Sequence, residues 1–154
     1  MAQGRYGTIL VPLDGSGWAQ RAIPHAAEIA RAHHSKLILL HVFRSPLSAY
    51  ADQLLLAGQA AQVEQLRAQM QQYLAGLRAE LERENLDVEV QFIEGSNAAE
   101  LICDFVNSQG VNLVVMCTHG HSGILRFIFG SVASKVMQGV RVPVMLVRPD
   151  DPGG

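Results

Sequence analysis

The residues with the clearest chemical potential fall in the run Cys117-Thr118-His119-Gly120-His121-Ser122-Gly123, followed by residues 124–129 and then Gly130-Ser131. An apolar stretch over residues 111–117 leads into it. A strand therefore empties into a glycine-containing loop, and a Gly-Ser pair opens a helix. Glycine lets a backbone approach a ligand with no Cβ in the way. The first amides of a helix lack intrahelical acceptors and attract anions. That combination suits a phosphate. Two roles fit Ser131 on local grounds: a hydroxyl donor to an anion, or an ordinary helix N-cap beside a turn glycine. Gly130 is expected to keep space open for phosphates and to adopt a φ that glycine takes easily.

A second glycine pair follows the first apolar run, in Asp14-Gly15-Ser16-Gly17. The third glycine of a dinucleotide fingerprint would fall on Gln20, and the chain contains no GxxxxGK[ST], so both major phosphate-loop classes are excluded. With 12 basic and 14 acidic residues the formal charge is −2, which leaves no electrostatic footprint for nucleic acid. Phosphate would have to be held by local amides. Cys103 and Cys117 have no zinc-ligand spacing and suit a reducing cytoplasm. His33 and His34 end a helical pattern, His41 lies in a strand as a structural residue, and His119 and His121 have no carboxylate partner. No paired carboxylates or Ser-His-Asp set stand out, so neither a catalytic residue nor a metal ligand is expected. No apolar run reaches membrane-spanning length.

The elements that must position these residues alternate. Strands are expected at residues 8–13, 36–42, 88–93, 111–117 and 142–147, the third a half-covered edge. Helices are expected at 18–32, 59–84, 97–106 and 131–138. The second carries an apolar stripe of Val63, Leu66, Met70, Leu74, Leu77 and Leu81. The third opens with Asn97 and Glu100 at capping-box spacing, Ser96 being an alternative cap, and the fourth stops at Gly139 as a C′ residue. This order predicts an α/β fold: a three-layer, open, parallel five-stranded sheet with helices on both faces and strand order 3-2-1-4-5. Ligands bind such sheets at the carboxyl ends of strands, which selects the loops after Leu13, Val42 and Cys117. Residues 1–149 read as one domain and 150–154 as a disordered tail. The apolar stretch 43–58 fits either a lid or partner surface, or a poorly ordered connection.

Taken together these segments resemble the universal stress protein family over residues 5–148. The resemblance rests on Met116 followed by Cys117-x2-Gly120-x9-Gly130-Ser131, on Pro12 and Asp14 in VPLDGS, on Leu40-His41-Val42, and on Pro143 in the last strand. It implies a nucleotide-binding set of Pro12, Asp14, Val42, Met116, Cys117, His119, Gly120, Gly130, Ser131 and Val132. Asp14 and the Val42 backbone would frame adenine and ribose, and Met116 would pack on the nucleoside. Gly120, Gly130, Ser131 and Val132 would approach the phosphates. The implied ligand is ATP, with Mg or Mn as its possible companion ion, in a cytoplasmic homodimer joined through its last strands. The implied role is regulatory, with at most slow ATP hydrolysis. Three positions depart from the family pattern: Cys117 replaces the first motif glycine, His121 stands where arginine is common, and Ala133 lacks a hydroxyl. A thiol at 117 would crowd the ligand, act as a redox handle or pack inertly. These departures support a rival reading, a dimeric interaction protein of the same fold that has lost its nucleotide and uses residues 43–58 as a partner surface.

Overall fold

A computed structural model of the chain describes residues 4–44, 57–118 and 130–148. Five strands, β1 (Thr8–Leu13), β2 (Lys36–Phe43), β3 (Asp87–Glu94), β4 (Leu113–Cys117) and β5 (Val144–Val147), form one sheet in the order β3-β2-β1-β4-β5. Every adjacent pair is parallel, with Leu13 level with His41, His41 level with Phe92, and Cys117 level with Val147. The expected strand order and parallel pairing hold. β1 is the switch point: the chain leaves it toward β2 on one side and reaches β4 on the other. The two crossovers diverge there and leave a crevice above the carboxyl ends of β1 and β4.

Continuous apolar strands bury both faces. On one face, α2 (Ala22–His33) and α3 (Ala57–Glu82) cover Ile9, Val11, Leu37, Leu39 and Val115. On the other, α4 (Ala98–Ser108) and α5 (Ser131–Gly139) cover Leu10, Ile38, Leu40, Val114 and Met116. The strand interior is almost wholly buried, as expected where helices lie on both sides.

Five local expectations change, one of them the last strand, which begins at Val144 and leaves Val142 and Pro143 outside it. The helix expected at 18–32 is two pieces, α1 (Gly17–Gln20) and α2, with Arg21 between them. Pro24 explains the break: its ring would clash with the Gln20 carbonyl of a continuous helix, whereas in the first turn of α2 its missing N–H has no consequence. β4 starts at Leu113 because Asn112 takes over the ladder, its Oδ1 accepting from the Thr8 amide at 2.8 Å. In α3, Val63, Leu74, Leu77 and Leu81 are buried, but Leu66 is 47% exposed. Leu66 lies about 60° around the helix from Val63 at 3.6 residues per turn, and Arg67 turns inward instead, its guanidinium carbon 5.4 Å from the Phe43 ring centre. Gly139 is the last helical residue of α5, not a C′ residue, and Val140 is the C-cap. A Cβ at Gly139 would sit 2.6 Å from Cys103 Sγ, so glycine there serves the close packing of α5 on α4.

Candidate functional site

A cavity of about 500 Å³ opens at the carboxyl edge of the sheet. It is enclosed by the ends of β1, β2 and β4 and by the first turns of α4 and α5. Of the ten residues singled out in the sequence, it brings together Pro12, Asp14, Val42, Met116, Cys117, Gly130, Ser131 and Val132. His119 and Gly120 lie outside the described residues, as do His121 and the segment 45–56.

The first wall is the turn after β1. Asp14 Oδ1 accepts from the Ser16 amide at 2.9 Å and from the Ser16 hydroxyl at 2.5 Å. Ser16 Oγ in turn accepts from the Ala19 amide at 3.1 Å and caps α1. Gly15 sits at φ 87, in the left-handed region, and a Cβ there would come within 2.8 Å of Met70 Cε. The half-buried Asp14 carboxylate is therefore held in place by its own loop, next to the cavity.

A second wall is α5. Gly130 N–H donates to the Thr118 carbonyl at 2.7 Å, and Thr118 N–H donates to the Val147 carbonyl at 3.1 Å. These bonds fix the end of β4 against the start of α5. The first intrahelical bond runs from the Ser134 amide to the Gly130 carbonyl at 2.9 Å. The amides of Ser131, Val132 and Ala133 thus have no acceptor within the helix. Gly130 is the N-cap and supplies no side-chain cap, whereas Asn97 Oδ1 caps α4 by accepting from the Glu100 amide at 3.2 Å. Ser131 is therefore not the cap but the first helical residue, with an exposed side chain. Among the described residues no side chain caps these amides, and a helix N-terminus of this kind suits an anion.

Gly130 has φ −53 and ψ 154, a conformation open to any residue. The expected glycine-only φ is absent. Glycine is required for space, since a Cβ would stand 2.9 Å from the Thr118 carbonyl oxygen. A valine there would strain the backbone junction itself as well as fill the cavity.

Alternation along β4 decides where the cysteine points. Met116 shares the α4/α5 face with Val114, so Cys117 faces the α1/α2 side with Val115. Both are buried, at 4% and 7% exposure, and both line the cavity. Cys103 and Cys117 are both free. Burial, with a smaller contribution from Asp104, pushes the Cys103 thiol above its ordinary range.

The cavity also contains residues that the motif did not pick out: His41, Phe43, Arg44, Ala98, Ile102 and Thr118. Arg44 is exposed and, with Asp14, supplies the charged side chains among the described lining residues. Its position one residue past β2 was a usable signal, because the carboxyl-end rule points there. Ala98 and Ile102 gave none, since only tertiary packing brings α4 over β2. His41 is 5% exposed; its Nδ1 lies 2.8 Å from the Leu13 carbonyl, and its ring packs 5.8 Å from Phe92. Burial pulls its pKa below the ordinary histidine range, against smaller opposing effects of the Leu13 carbonyl and the Asp14 charge. Among the described residues, no group of three or more His, Cys, Asp or Glu gathers to hold a metal ion, and no helix is long and apolar enough to cross a membrane.

Residues 5–148 match the model of the universal stress protein family. Universal stress protein MJ0531 of Methanocaldococcus jannaschii is 29% identical over 147 residues, covering 93% of this chain and 82% of that protein. Among solved structures, the universal stress protein UspA from Lactobacillus plantarum has a TM-score of 0.82 at 24% identity, covering 94% of this chain and 99% of that one. A universal stress protein in complex with cAMP has a TM-score of 0.67 at 22% identity, covering 93% and 97% of the two chains. A family protein from Arabidopsis thaliana with AMP bound has a TM-score of 0.66 at 20% identity, covering 95% and 97%. At these identities the solved structures establish the shared fold.

Proposed function

Because the chain belongs to the universal stress protein family, we propose that its cavity binds an adenine nucleotide, ATP, in a regulatory protein with at most slow hydrolytic activity. One observation carries this reading. Asp14, Val42 and Met116 line the same cavity as the N-terminus of α5, which carries no side-chain cap among the described residues. An apolar slot with a carboxylate suits a nucleoside, and free helix amides suit its phosphates. The relatives solved with cAMP and AMP support the ligand class. Asp14 is the carboxylate among the described cavity residues, and it is already engaged by Ser16, which leaves little provision for general-base catalysis. A divalent ion, if it accompanies ATP, would take most of its ligands from phosphate oxygens and water.

The same reading makes the protein a cytoplasmic homodimer. β5 is a four-residue edge strand with Met145 38% exposed. The other edge, β3, carries Glu89 paired with Lys36 at 2.5 Å and has α3 against it. Charged, covered edges resist pairing and apolar ones invite it, so β5 is the edge that would meet its copy. Light scattering that finds only monomer at high micromolar concentration would remove the dimer.

Calorimetric titration of ATP into the wild type and Asp14→Ala, with mass spectrometry of any co-purified nucleotide, tests the ligand. The wild type is expected to bind, and Asp14→Ala to bind about tenfold more weakly or worse, the effect of losing a charged hydrogen-bond acceptor. Absence of both co-purified nucleotide and ATP binding in the wild type would leave the interaction-protein reading.

A further inference from the structure

We propose that α3 positions the Asp14 carboxylate for the nucleotide, with Met70 and Tyr73 as the positioning residues. This role rests on the nucleotide reading of the cavity and adds to it two residues on a helix outside the glycine motif. The turn after β1 is ordered from within: Asp14 accepts from Ser16, and Ser16 accepts from the Ala19 amide. Those bonds fix the carboxylate relative to α1 but not relative to the sheet. α1 has four residues, far too few for a helix that stands alone. Its place must come from contacts outside it. One anchor is Ala19, 7% exposed within the core. α3 supplies two more.

Met70 and Tyr73 lie three positions apart on α3 and so share one face of the helix. The Met70 tip fills the space beside Gly15, where a Cβ would stand 2.8 Å from its Cε. Gly15, at φ 87, joins Asp14 to Ser16, so the methionine rests on the turn itself. Tyr73 Oη donates to Gln20 Oε1 at 2.6 Å, at the far end of α1. Burial, and after it the Asp14 charge, raises the Tyr73 pKa, so the hydroxyl stays a donor and the carboxylate lies within electrostatic reach. The two contacts hold both ends of the segment 15–20. The helix that makes them is itself anchored, with Leu74 fully buried and Leu77 and Leu81 at 8% exposure, and it packs on β2 and β3. α3 therefore ties the β1 turn to the neighbouring strands, beside the cavity that Met70 and Asp14 both line.

Hydrogen exchange and ATP titration test the brace and its role in binding separately. In the ligand-free protein, Met70→Ala and Tyr73→Phe should each speed exchange of the Ser16 and Ala19 amides by about three- to tenfold, while amides inside β2 keep their protection. Met70→Leu, close to methionine in volume, should keep the wild-type rates. ATP affinity should fall by about three- to tenfold in Met70→Ala and recover in Met70→Leu. In an Asp14→Ala background, Met70→Ala should cost nothing further, because the group it positions is gone. Unchanged exchange of Ser16 and Ala19 in both variants overturns the proposal, and so does a rise that is equal throughout β2, which marks global destabilisation. Faster exchange with undiminished ATP affinity in Met70→Ala also overturns it. An affinity loss as large in the Asp14→Ala background as in the wild type makes Met70 a direct ligand contact, against the proposal. A wild type that binds no nucleotide removes the nucleotide reading and the role in binding with it, while the exchange rates still show whether α3 braces the turn.

Discussion

Replacing Gly130 by alanine should destabilise the protein, although the backbone conformation there accepts alanine. Two effects oppose one another. At φ −53 and ψ 154 alanine is unstrained, and it restricts the unfolded chain, which favours the folded state by about 0.4–1 kcal/mol. Against this, the new Cβ stands 2.9 Å from the Thr118 carbonyl oxygen. That oxygen is not a side-chain tip that can swing away. It accepts the Gly130 amide at 2.7 Å, and the Thr118 amide is itself bonded to Val147. Relief requires moving α5 off the end of β4, and overpacking of this kind costs about 1–3 kcal/mol. The net expectation is a loss of about 1–2 kcal/mol, or a Tm lowered by about 2–8 °C for a domain of this size. Urea denaturation and a thermal melt measure it, and ATP titration should show weaker binding in the same variant because the amides of Ser131 and Val132 shift with the helix. A Gly130→Ala protein as stable as the wild type or more so would refute the argument from the Thr118 contact.

Gly139→Ala should also destabilise despite alanine's better helix propensity, because its Cβ would stand 2.6 Å from Cys103 Sγ; in a Cys103→Ala background the same change should become neutral or stabilising, a non-additivity that a double-mutant cycle reads directly. Asn97→Ala removes the α4 cap and should cost about 1 kcal/mol by urea denaturation. Stability should fall as the pH drops below about 6.5, because the folded-state pKa of His41 is lowered and the unfolded chain binds the proton first; the contribution is fully present above that value and disappears through the window down to the folded pKa. Asp14 faces the ring from the β1 turn, and its negative charge moderates the shift without reversing it. Acid-range melts should show a shallower slope in His41→Asn, and an unchanged slope would assign the acid sensitivity to other groups.

The fold was legible in the sequence because its signal is local and repeated. Apolar runs too short for helices, rich in β-branched residues and separated by helical patterns, admit little other than a parallel α/β sheet. The motif also located the α5 wall of the cavity, since Gly130-Ser131 and a helix start lie on one stretch of chain. Pro24 was equally visible, and its clash with Gln20 would have divided α1 from α2.

What the sequence left open depends on partners distant along the chain. Space explains the glycines at 130 and 139, and the atoms that claim it belong to Thr118 and Cys103. The N-cap role open to Ser131 fell away only when Gly130 proved to be the cap. The face on which Cys117 lies follows from the parity of β4, which sets it opposite Met116. Arg67 and Leu66 exchanged places because Phe43 and Glu94 meet the guanidinium group at the sheet edge. His41 looked like one more strand residue until the parallel register set it beside Leu13, giving its Nδ1 proton an acceptor. Local pattern fixes which elements form and in what order, because propensity and periodicity act within a few residues. Register and packing decide which atoms meet, because they depend on contacts between residues far apart in the chain.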